Sequence, residues 1–200
     1  MAFPDKIVLA TGNAGKLKEF GNLFSQQQVT IVGQQELGVK EVPETGTTFI
    51  ENAIIKARHA ARHTGLPAIA DDSGIVVNAL GGAPGIYSAR FAGAGASDAD
   101  NIELLLSRLS GEADRRAHFM CTLVYLRHAE DPVPLISQGH WHGLITNQVS
   151  GHGGFGYDPV FYVPAQECTA AELDSQAKNA LSHRGQAMTF LLQQMRQAFA

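Results

Sequence analysis

A short glycine-containing segment near the start of the chain combines residue types that bind phosphate. The residues from Thr11 to Lys16 read T-G-N-A-G-K, after the apolar run 7–10 and before a helical pattern that begins at Leu17. A turn between a strand and a helix presents backbone N–H groups and the positive end of the helix dipole, and the lysine adds a full charge. The segment indicates a phosphate site, with an ordinary turn and a solvated lysine as the alternative.

The spacing of this segment is not that of a P-loop NTPase. A P-loop has four residues between its first glycine and the Gly-Lys pair, and then a Ser or Thr that binds magnesium. Here two residues separate Gly12 from Gly15, and Leu17 follows Lys16. Any metal ligands must therefore be carboxylates elsewhere in the chain.

Two adjacent carboxylates, Asp71 and Asp72, stand with Ser73 between the apolar segments 68–70 and 75–77, which we predict to be two short strands. Neighbours on an extended backbone point to opposite faces, so only one aspartate can easily face a given cleft. Carboxylates beside buried residues are unfavourable unless a metal, a cation or hydrogen bonds compensate them. We interpret this segment as a functional site rather than an Asp-Ser-Gly turn.

A third candidate segment surrounds Glu44, just before a predicted helix. Thr48 and Glu51 match the N-cap and N3 positions of a capping box. One face of that helix carries four polar residues: Asn52, Lys56, His59 and His63. Glu44 and Lys56 could hold a metal and a phosphate together, but for Lys56 alone a solvated helix face is the preferred interpretation.

Residues 151–159, G-H-G-G-F-G-Y-D-P, form a second glycine-rich loop. Phe155 or Tyr157 could stack on a base, and Asp158 could accept hydrogen bonds. On the loop alone we prefer a tight turn whose aromatic side chains lie in the core.

The final helix begins with the sequence S-H-R-G, in which His183 and Arg184 follow Ser182, and Lys178 lies four residues before the serine. These side chains place cations and hydrogen-bond donors at a helix N-terminus. His183 by itself is more typical of a histidine near a helix cap than of a ligand-binding residue.

His140 and His142 lie on one face of a predicted strand. The sequence shows no recognisable third ligand, so we do not expect zinc there.

Composition and charge exclude several classes of protein. The chain has 200 residues and a formal net charge of −4, which gives no electrostatic footprint for general binding to nucleic acid or to a membrane surface. Cys121 and Cys168 are far apart and lack metal-ligand spacing, and the sequence contains neither a signal peptide nor a long apolar run. We expect a cytoplasmic protein, with residues 1–200 as one domain whose lobe boundary the sequence does not place.

The predicted elements alternate between strands and helices early in the chain and then continue as an antiparallel meander. Predicted strands lie at 7–10, 29–32, 68–70, 75–77, 119–126, 134–140 and 141–148, and Ser97 is predicted to cap a third helix. This order predicts an α/β fold with a mixed sheet.

Six motifs in unbroken order resemble the inosine triphosphate pyrophosphatase family, and in particular its bacterial dITP/XTP pyrophosphatases. They are T-G-N-A-G-K, E-T-G-T-T-F-I-E-N-A-I-I-K-A, A-D-D-S-G, G-G-A-P-G-I-Y-S-A-R, G-G-F-G-Y-D-P and S-H-R-G-Q-A. The resemblance covers nearly the whole chain, from about Lys6 to the last helix.

This resemblance implies an elongated mixed sheet with flanking helices, in two lobes around a central active-site cleft. It also implies a Mg²⁺-dependent homodimer that hydrolyses ITP, dITP, XTP and dXTP to the monophosphate and pyrophosphate. Such an activity removes deaminated purines from the nucleotide pool before they enter DNA or RNA.

The resemblance also implies roles for individual residues. Asp72 is the proton acceptor and a magnesium ligand, Glu44 supports the metal, and Ser73 lies in the substrate shell. The expected phosphate-binding residues are Thr11, Gly12, Asn13, Ala14, Gly15 and Lys16, with Lys56 as possible support. The residues expected around the nucleoside are Phe155, Gly156, Tyr157, Asp158, Lys178, His183 and Arg184. Close relatives often have an acidic residue where this chain has Pro43, so Glu41 and Glu44 both stay candidates for the metal shell.

The mechanistic hypothesis is attack of an Asp72-activated water on the α-phosphorus, assisted by positioning and charge neutralisation. Two alternatives belong to other classes: a P-loop-like phosphotransferase or ATPase, and a nucleotide-binding module without catalysis. The missing Ser or Thr after Lys16 speaks against the first, and a functional Asp72 against the second.

Overall fold

The fold is an α/β arrangement around one mixed sheet. A computed structural model describes residues 4–24 and 29–199. The strands are β1 (Lys6–Ala10), β2 (Thr30–Gly33), β3 (Ala68–Val77), β4 (Arg116–Leu126), β5 (Leu135–Ile145), β6 (Phe161–Val163) and β7 (Cys168–Thr169). The helices are α1 (Ala14–Phe24), α2 (Phe49–Thr64), α3 (Asp98–Arg108), α4 (Ser175–Leu181) and α5 (His183–Ala198).

The sheet order is β2-β1-β3-β4-β5-β6-β7. β1 pairs in parallel with both β2 and β3, whereas β6 pairs antiparallel with β5 and with β7. The predicted mixed α/β sheet is therefore confirmed.

Side-chain caps determine where the two best-predicted helices begin. The Thr48 hydroxyl accepts a hydrogen bond from the Glu51 backbone N–H at 3.2 Å, and the Glu51 carboxylate accepts one from the Thr48 N–H at 2.9 Å. Ser97 and Asp100 make the same reciprocal pair at the start of α3. α2 ends at Gly65, whose φ of 68° suits glycine. Both predicted caps are confirmed.

One prediction was wrong in an informative way. Segments 68–70 and 75–77 are not two short strands, because β3 runs without interruption from Ala68 to Val77. The polar residues Asp71 and Asp72 stay in the extended, buried backbone because cationic side chains from elsewhere in the chain contact them. Segments 134–140 and 141–148 likewise lie mostly in one strand, β5.

The chain divides into two compact units, each with its own core. Unit 1 comprises residues 1–72, 121–139 and 186–200, of which the structure describes 4–24, 29–72, 121–139 and 186–199. Its core includes Leu9, Phe20, Ile69, Leu123 and Met188. Unit 2 comprises residues 73–120 and 140–185, and its core includes Ile75, Leu105, Phe119, Trp141 and Phe161. The single domain with two lobes stays a prediction.

Among residues 4–24 and 29–199, no helix is both long and apolar enough to cross a membrane.

Candidate active site

The predicted phosphate-binding segment lies at the carboxyl end of β1 and enters the first turn of α1. The Thr11 hydroxyl accepts a hydrogen bond from the Asn13 N–H, and Asn13 Oδ1 accepts one from the Lys16 N–H, both at 3.1 Å. Asn13 therefore acts as the cap of α1, and the helix begins at Ala14, three residues before the predicted Leu17. Gly12 and Asn13 are exposed, so the segment is accessible to a ligand.

Only glycine fits at position 12 without a shift. A Cβ atom there would collide with the Glu41 carboxylate and come within 3.0 Å of the Gln35 side-chain amide. The ends of the Glu41 and Gln35 side chains therefore lie close to the backbone of Gly12.

Lys16 forms an ion pair with Asp71, a residue of the predicted functional segment to which the sequence assigned no role. The Asp71 side chain is fully buried and lies 3.3 Å from the thiol of Cys121. Strand pairing accounts for the contact: β1 and β3 run in parallel with Ala10 opposite Ala70, so Asp71 lies on β3 beside the point where the segment after β1 begins.

Lys56 joins Glu44 and Asp72. Its ammonium donates to Glu44 Oε1 and Asp72 Oδ1, each at 2.8 Å, and to the backbone carbonyl of Asp71 at 2.7 Å. The Lys56 side chain is only 15% exposed. The solvated interpretation of Lys56 is therefore wrong, and its three N–H donors all have protein acceptors.

Glu44 is held in place by contacts between its own loop and α2. The Gly46 N–H donates to the Asn52 side-chain carbonyl at 2.8 Å, and Asn52 is completely buried. The Thr47 N–H donates to the Glu51 carboxylate, also at 2.8 Å. The polar face of α2 therefore contacts the loop that carries Glu44, and does not face water alone.

The charges of this network shift the pKa values of its members. Burial lowers the pKa of Lys56, but the charges of Asp72 and Glu44 and its hydrogen bonds to them outweigh burial, so the pKa is raised. Burial raises the pKa of Asp72, and the charge and hydrogen bond of Lys56 only partly offset this. Asp72 shares that lysine with Glu44, whose negative charge raises the pKa of Asp72 further.

The donor set fits a hard divalent cation. The buried Oδ2 atom of Asp72 has no hydrogen-bond partner in the described part of the chain. Mg²⁺ is commonly held by one or two carboxylates and keeps several waters. In the described ranges no three His, Cys, Asp or Glu residues group around a possible metal position. Glu44 contacts Lys56, whereas Glu41 is exposed and its carboxylate lies beside Gly12.

We call Lys16, Glu44, Lys56, Asp71 and Asp72 the lysine–carboxylate group. All five belong to unit 1.

A second set of predicted residues meets within unit 2. Asp158 Oδ2 accepts hydrogen bonds from the Phe155 N–H at 2.8 Å and from Lys178 Nζ at 2.5 Å. Lys178 Nζ lies 4.9 Å from the centroid of the Phe155 ring, and Arg184 Cζ lies 5.8 Å from it. We call Phe155, Asp158, Lys178 and Arg184 the aromatic–cation group.

The two aromatic residues of the glycine-rich loop have different positions. Phe155 is 39% exposed, whereas Tyr157 is buried and donates its hydroxyl to the Ser88 carbonyl at 2.8 Å. Burial, with a smaller contribution from the charge of Asp98, raises the pKa of Tyr157. The preferred sequence interpretation placed both aromatic rings in the core. Tyr157 is in the core, whereas Phe155 is the ring accessible for stacking.

The remaining predicted residues lie around the same loop or on β3. His183 is buried, and its ring stacks on Phe119 with centroids 4.9 Å apart. The Gly156 N–H donates to Asp98 Oδ2 at 2.6 Å. Ser73 follows Asp72 on β3 and is half-buried.

Comparison with known proteins identifies the family. The model of the Ham1 family matches residues 7–194. The chain belongs to the Ham1 family. This confirms the resemblance that the six sequence motifs indicated.

Relatives of known name agree with this assignment over nearly their full length. A dITP/XTP pyrophosphatase of Pectobacterium atrosepticum is 61% identical over 195 residues, which are 96% of this chain and 99% of that protein. A dITP/XTP pyrophosphatase of Salmonella typhimurium is 60% identical over 193 residues, which are 96% of this chain and 98% of that protein. The structure of a HAM1 protein from Coxiella burnetii matches with a TM-score of 0.91 and 49% identity, over 96% of this chain and 98% of that one. The match to the Ham1 structure therefore extends over nearly the whole chain.

Proposed function

We propose that this Ham1-family chain is a dITP/XTP pyrophosphatase. It hydrolyses ITP, dITP, XTP and dXTP to the monophosphate and pyrophosphate, and so removes deaminated purines from the nucleotide pool. The identity of about 60% to dITP/XTP pyrophosphatases over nearly the full chain supports this activity. The observation that carries the chemistry is the buried Asp72, which is oriented by Lys56 and keeps one carboxylate oxygen for a ligand.

Asp72 is the general base of the reaction. It accepts a proton from the attacking water, whose oxygen forms a bond to the α-phosphorus while the bond to the bridging α–β oxygen breaks. The electron pair of that bond leaves with pyrophosphate. Burial raises the pKa of Asp72, and a base whose pKa lies nearer the working pH accepts a proton more effectively.

The other members of the lysine–carboxylate group position Asp72 and neutralise charge. Lys56 fixes one oxygen of Asp72 and one of Glu44, and Asp71 holds Lys16 at the start of α1. Lys16 and the backbone N–H groups of residues 11–16 bind the phosphates. Fixed donors of this kind lower a barrier because they need no reorganisation when charge develops.

Asp72 and Glu44 are the residues that would hold Mg²⁺. When bound, the ion neutralises phosphate charge and lowers the pKa of a coordinated water.

The aromatic–cation group binds the purine. Phe155 offers an exposed ring for stacking, and Lys178 and Arg184 supply donors that suit the O6 acceptor of hypoxanthine or xanthine. Adenine carries an amino donor at that position and lacks the N1 proton, so binding it would leave buried protein groups unpaired. Mismatches of this kind support large discrimination.

The protein acts as a homodimer in the cytoplasm and binds neither nucleic acid nor membrane. Light scattering of the purified chain checks the dimer, with a monomer as the contrary outcome.

One assay tests the activity against its two alternatives. The protein is incubated with Mg²⁺ and, separately, ITP, XTP, GTP and ATP, and the products are resolved by ion-exchange chromatography. We expect inosine or xanthosine monophosphate plus pyrophosphate. Diphosphate plus orthophosphate would support a phosphotransferase or ATPase instead. Binding without turnover would support a non-catalytic nucleotide-binding module.

A further inference from the structure

Three imidazole rings meet on one face of strands β4 and β5. The ring centroids of His118 and His140 are 5.4 Å apart, those of His118 and His142 are 5.3 Å apart, and those of His140 and His142 are 6.3 Å apart. His118 lies on the neighbouring strand, so it is the third histidine that the sequence did not reveal. His140 and His142 are exposed, and His118 is half-buried. We call these three residues the histidine triad.

The backbone beneath the triad is firmly packed. Phe119 and Trp141, the neighbours of the triad residues in sequence, are buried and point to the opposite face. The Phe119 ring lies 4.6 Å from that of Phe161, and the Trp141 ring lies 5.2 Å from it. The Cα positions of the triad are thus fixed by the core of unit 2, and strands hold ligand positions more accurately than loops do.

The spacing of the rings is close to that of imidazoles on one metal ion. With a metal–nitrogen bond of about 2.1 Å, a ring centroid lies about 3.2 Å from the ion. Two rings on the same ion then have centroids about 4.5 to 6.4 Å apart for bond angles from about 90° to 180°. Each measured separation lies in this range, but no point is closer than about 3.3 Å to all three centroids, so the rings must shift to bind one ion.

Metal binding requires the rings to rotate. In their present rotamers the described side chains include no three-residue His, Cys, Asp or Glu group arranged to hold a metal, and His140 and His142 are nearly parallel, at 12°. Exposed side chains change rotamer within nanoseconds, so rotation does not hinder binding.

A cation on the same face of β4 is already paired. Arg116, which shares the face of His118, is engaged by Asp114 through two hydrogen bonds of 2.8 and 2.7 Å.

We propose that His118, His140 and His142 form a binding site for one borderline transition-metal ion of the Zn²⁺ or Ni²⁺ class. Imidazole nitrogens select such ions, whereas carboxylates such as Asp72 and Glu44 suit Mg²⁺. The site joins β4 to β5 and stabilises the folded chain. It is independent of the proposed pyrophosphatase activity.

Another histidine pair on the molecule provides the strictest comparison. His59 and His63 lie one turn apart on α2 with ring centroids 4.2 Å apart. One nitrogen of each ring is engaged, because His59 Nε2 lies 2.9 Å from the Lys40 carbonyl and His63 Nδ1 lies 2.9 Å from the His59 carbonyl. The pair offers two imidazoles to an ion, whereas the triad offers three. We therefore expect the triad to bind the ion in preference to this pair.

The test measures binding of Zn²⁺ alone, and then Ni²⁺ alone, to the full chain after dialysis against EDTA. Isothermal titration calorimetry should give one ion per chain. Removing second-shell groups already costs about 10- to 100-fold in metal affinity, so loss of a ligand in His118→Asn, His140→Asn or His142→Asn should weaken binding at least about tenfold. With metal at 100 times its Kd, Tm should rise by about 5–10 °C in the parent and less in these variants.

Two controls keep the result specific. The His59→Asn/His63→Asn double variant and His128→Asn, which removes a lone exposed histidine, should bind Zn²⁺ as the parent does. The proposal is overturned if Zn²⁺ binding is not saturable, if the triad variants bind as well as the parent, or if only the His59→Asn/His63→Asn variant loses binding. His118→Gln replaces His118→Asn if the latter does not fold.

Discussion

The lysine–carboxylate group and the aromatic–cation group contain the same types of charged side chain in opposite proportions. Each pairs lysine with aspartate next to a glycine-containing loop. The first has two lysines against three carboxylates, and the second has Lys178 and Arg184 against the single carboxylate of Asp158. An excess of carboxylate suits a metal cation, whereas cationic donors beside an exposed ring suit a stacked base that carries hydrogen-bond acceptors.

The two groups also differ in how their central residue is held. Asp72 is 6% exposed, whereas Phe155 is 39% exposed. A buried carboxylate with a raised pKa destabilises the folded chain, and such residues are typical of catalytic sites. An exposed ring flanked by cations costs little and can adapt to a ligand. Chemistry is thus expected to depend on the first group, and recognition of the base on the second.

The largest expected effect comes from Asp72→Asn. The substitution keeps the shape of the side chain and removes the proton acceptor, so kcat for XTP should fall about 10²- to 10⁴-fold. Equilibrium dialysis should still show XTP binding, and circular dichroism should show the parent fold. Asp114→Asn, a change at an acid outside the site, should leave kcat unaltered. Near-normal turnover in Asp72→Asn would remove Asp72 from the mechanism.

Phe155→Ala should have the next largest effect and should act on recognition alone. Stacking of a base on an aromatic side chain contributes about 1–3 kcal/mol, so KM for XTP should rise about 5- to 150-fold. Inhibition by inorganic tripolyphosphate, which has no base, should stay as in the parent. If Phe155→Ala weakened XTP and tripolyphosphate equally, the assignment of the base to the aromatic–cation group would be wrong.

A smaller effect, on stability alone, is expected from Tyr157→Phe. The change removes the buried hydrogen bond to the Ser88 carbonyl at 2.8 Å, at a cost of about 0.5–1.5 kcal/mol. Urea denaturation measures the loss, and KM for XTP should not change. A raised KM at full stability would place Tyr157 against the base after all.

The smallest effect concerns the stability of the metal-free protein. Folding raises the pKa of Asp72 above its ordinary value of 3.8, so the folded chain binds this proton more tightly than the unfolded chain does. Stability is therefore lost as the pH rises from the ordinary pKa through the raised one. Asp72→Asn should have a higher free energy of unfolding than the parent at pH 7 in EDTA, and the difference should shrink as the pH falls. A less stable variant at pH 7 would show that the ion pair with Lys56 outweighs burial.

Local patterns made much of the fold predictable. The capping boxes at Thr48 and Ser97 depend on residues three positions apart, and the structure has both. The continuous β3 was not predictable in this way, because Asp71 is partnered by Lys16, which is 55 residues away in sequence. His118 lies beside His140 because β4 is the neighbour of β5 in the sheet. The residue pattern of a single strand does not show which strand will lie next to it.

The candidate site was predictable as a set of motifs but not as a network. The adjacent aspartates and the late cationic residues were recognisable from residue type and order. The role of Lys56 was not, because its burial depends on a loop fixed through Asn52. Nor did spacing separate Phe155 from Tyr157, since both are aromatic and only the packing of the core determines which ring is exposed.

The most direct test of the account is the position of oxygen from water in the products. XTP is hydrolysed in H₂¹⁸O with Mg²⁺, and xanthosine monophosphate and pyrophosphate are analysed by mass spectrometry. Attack of an Asp72-activated water on the α-phosphorus predicts one ¹⁸O atom in the monophosphate and none in pyrophosphate. Label in pyrophosphate would show attack at the β-phosphorus and would contradict the proposed mechanism.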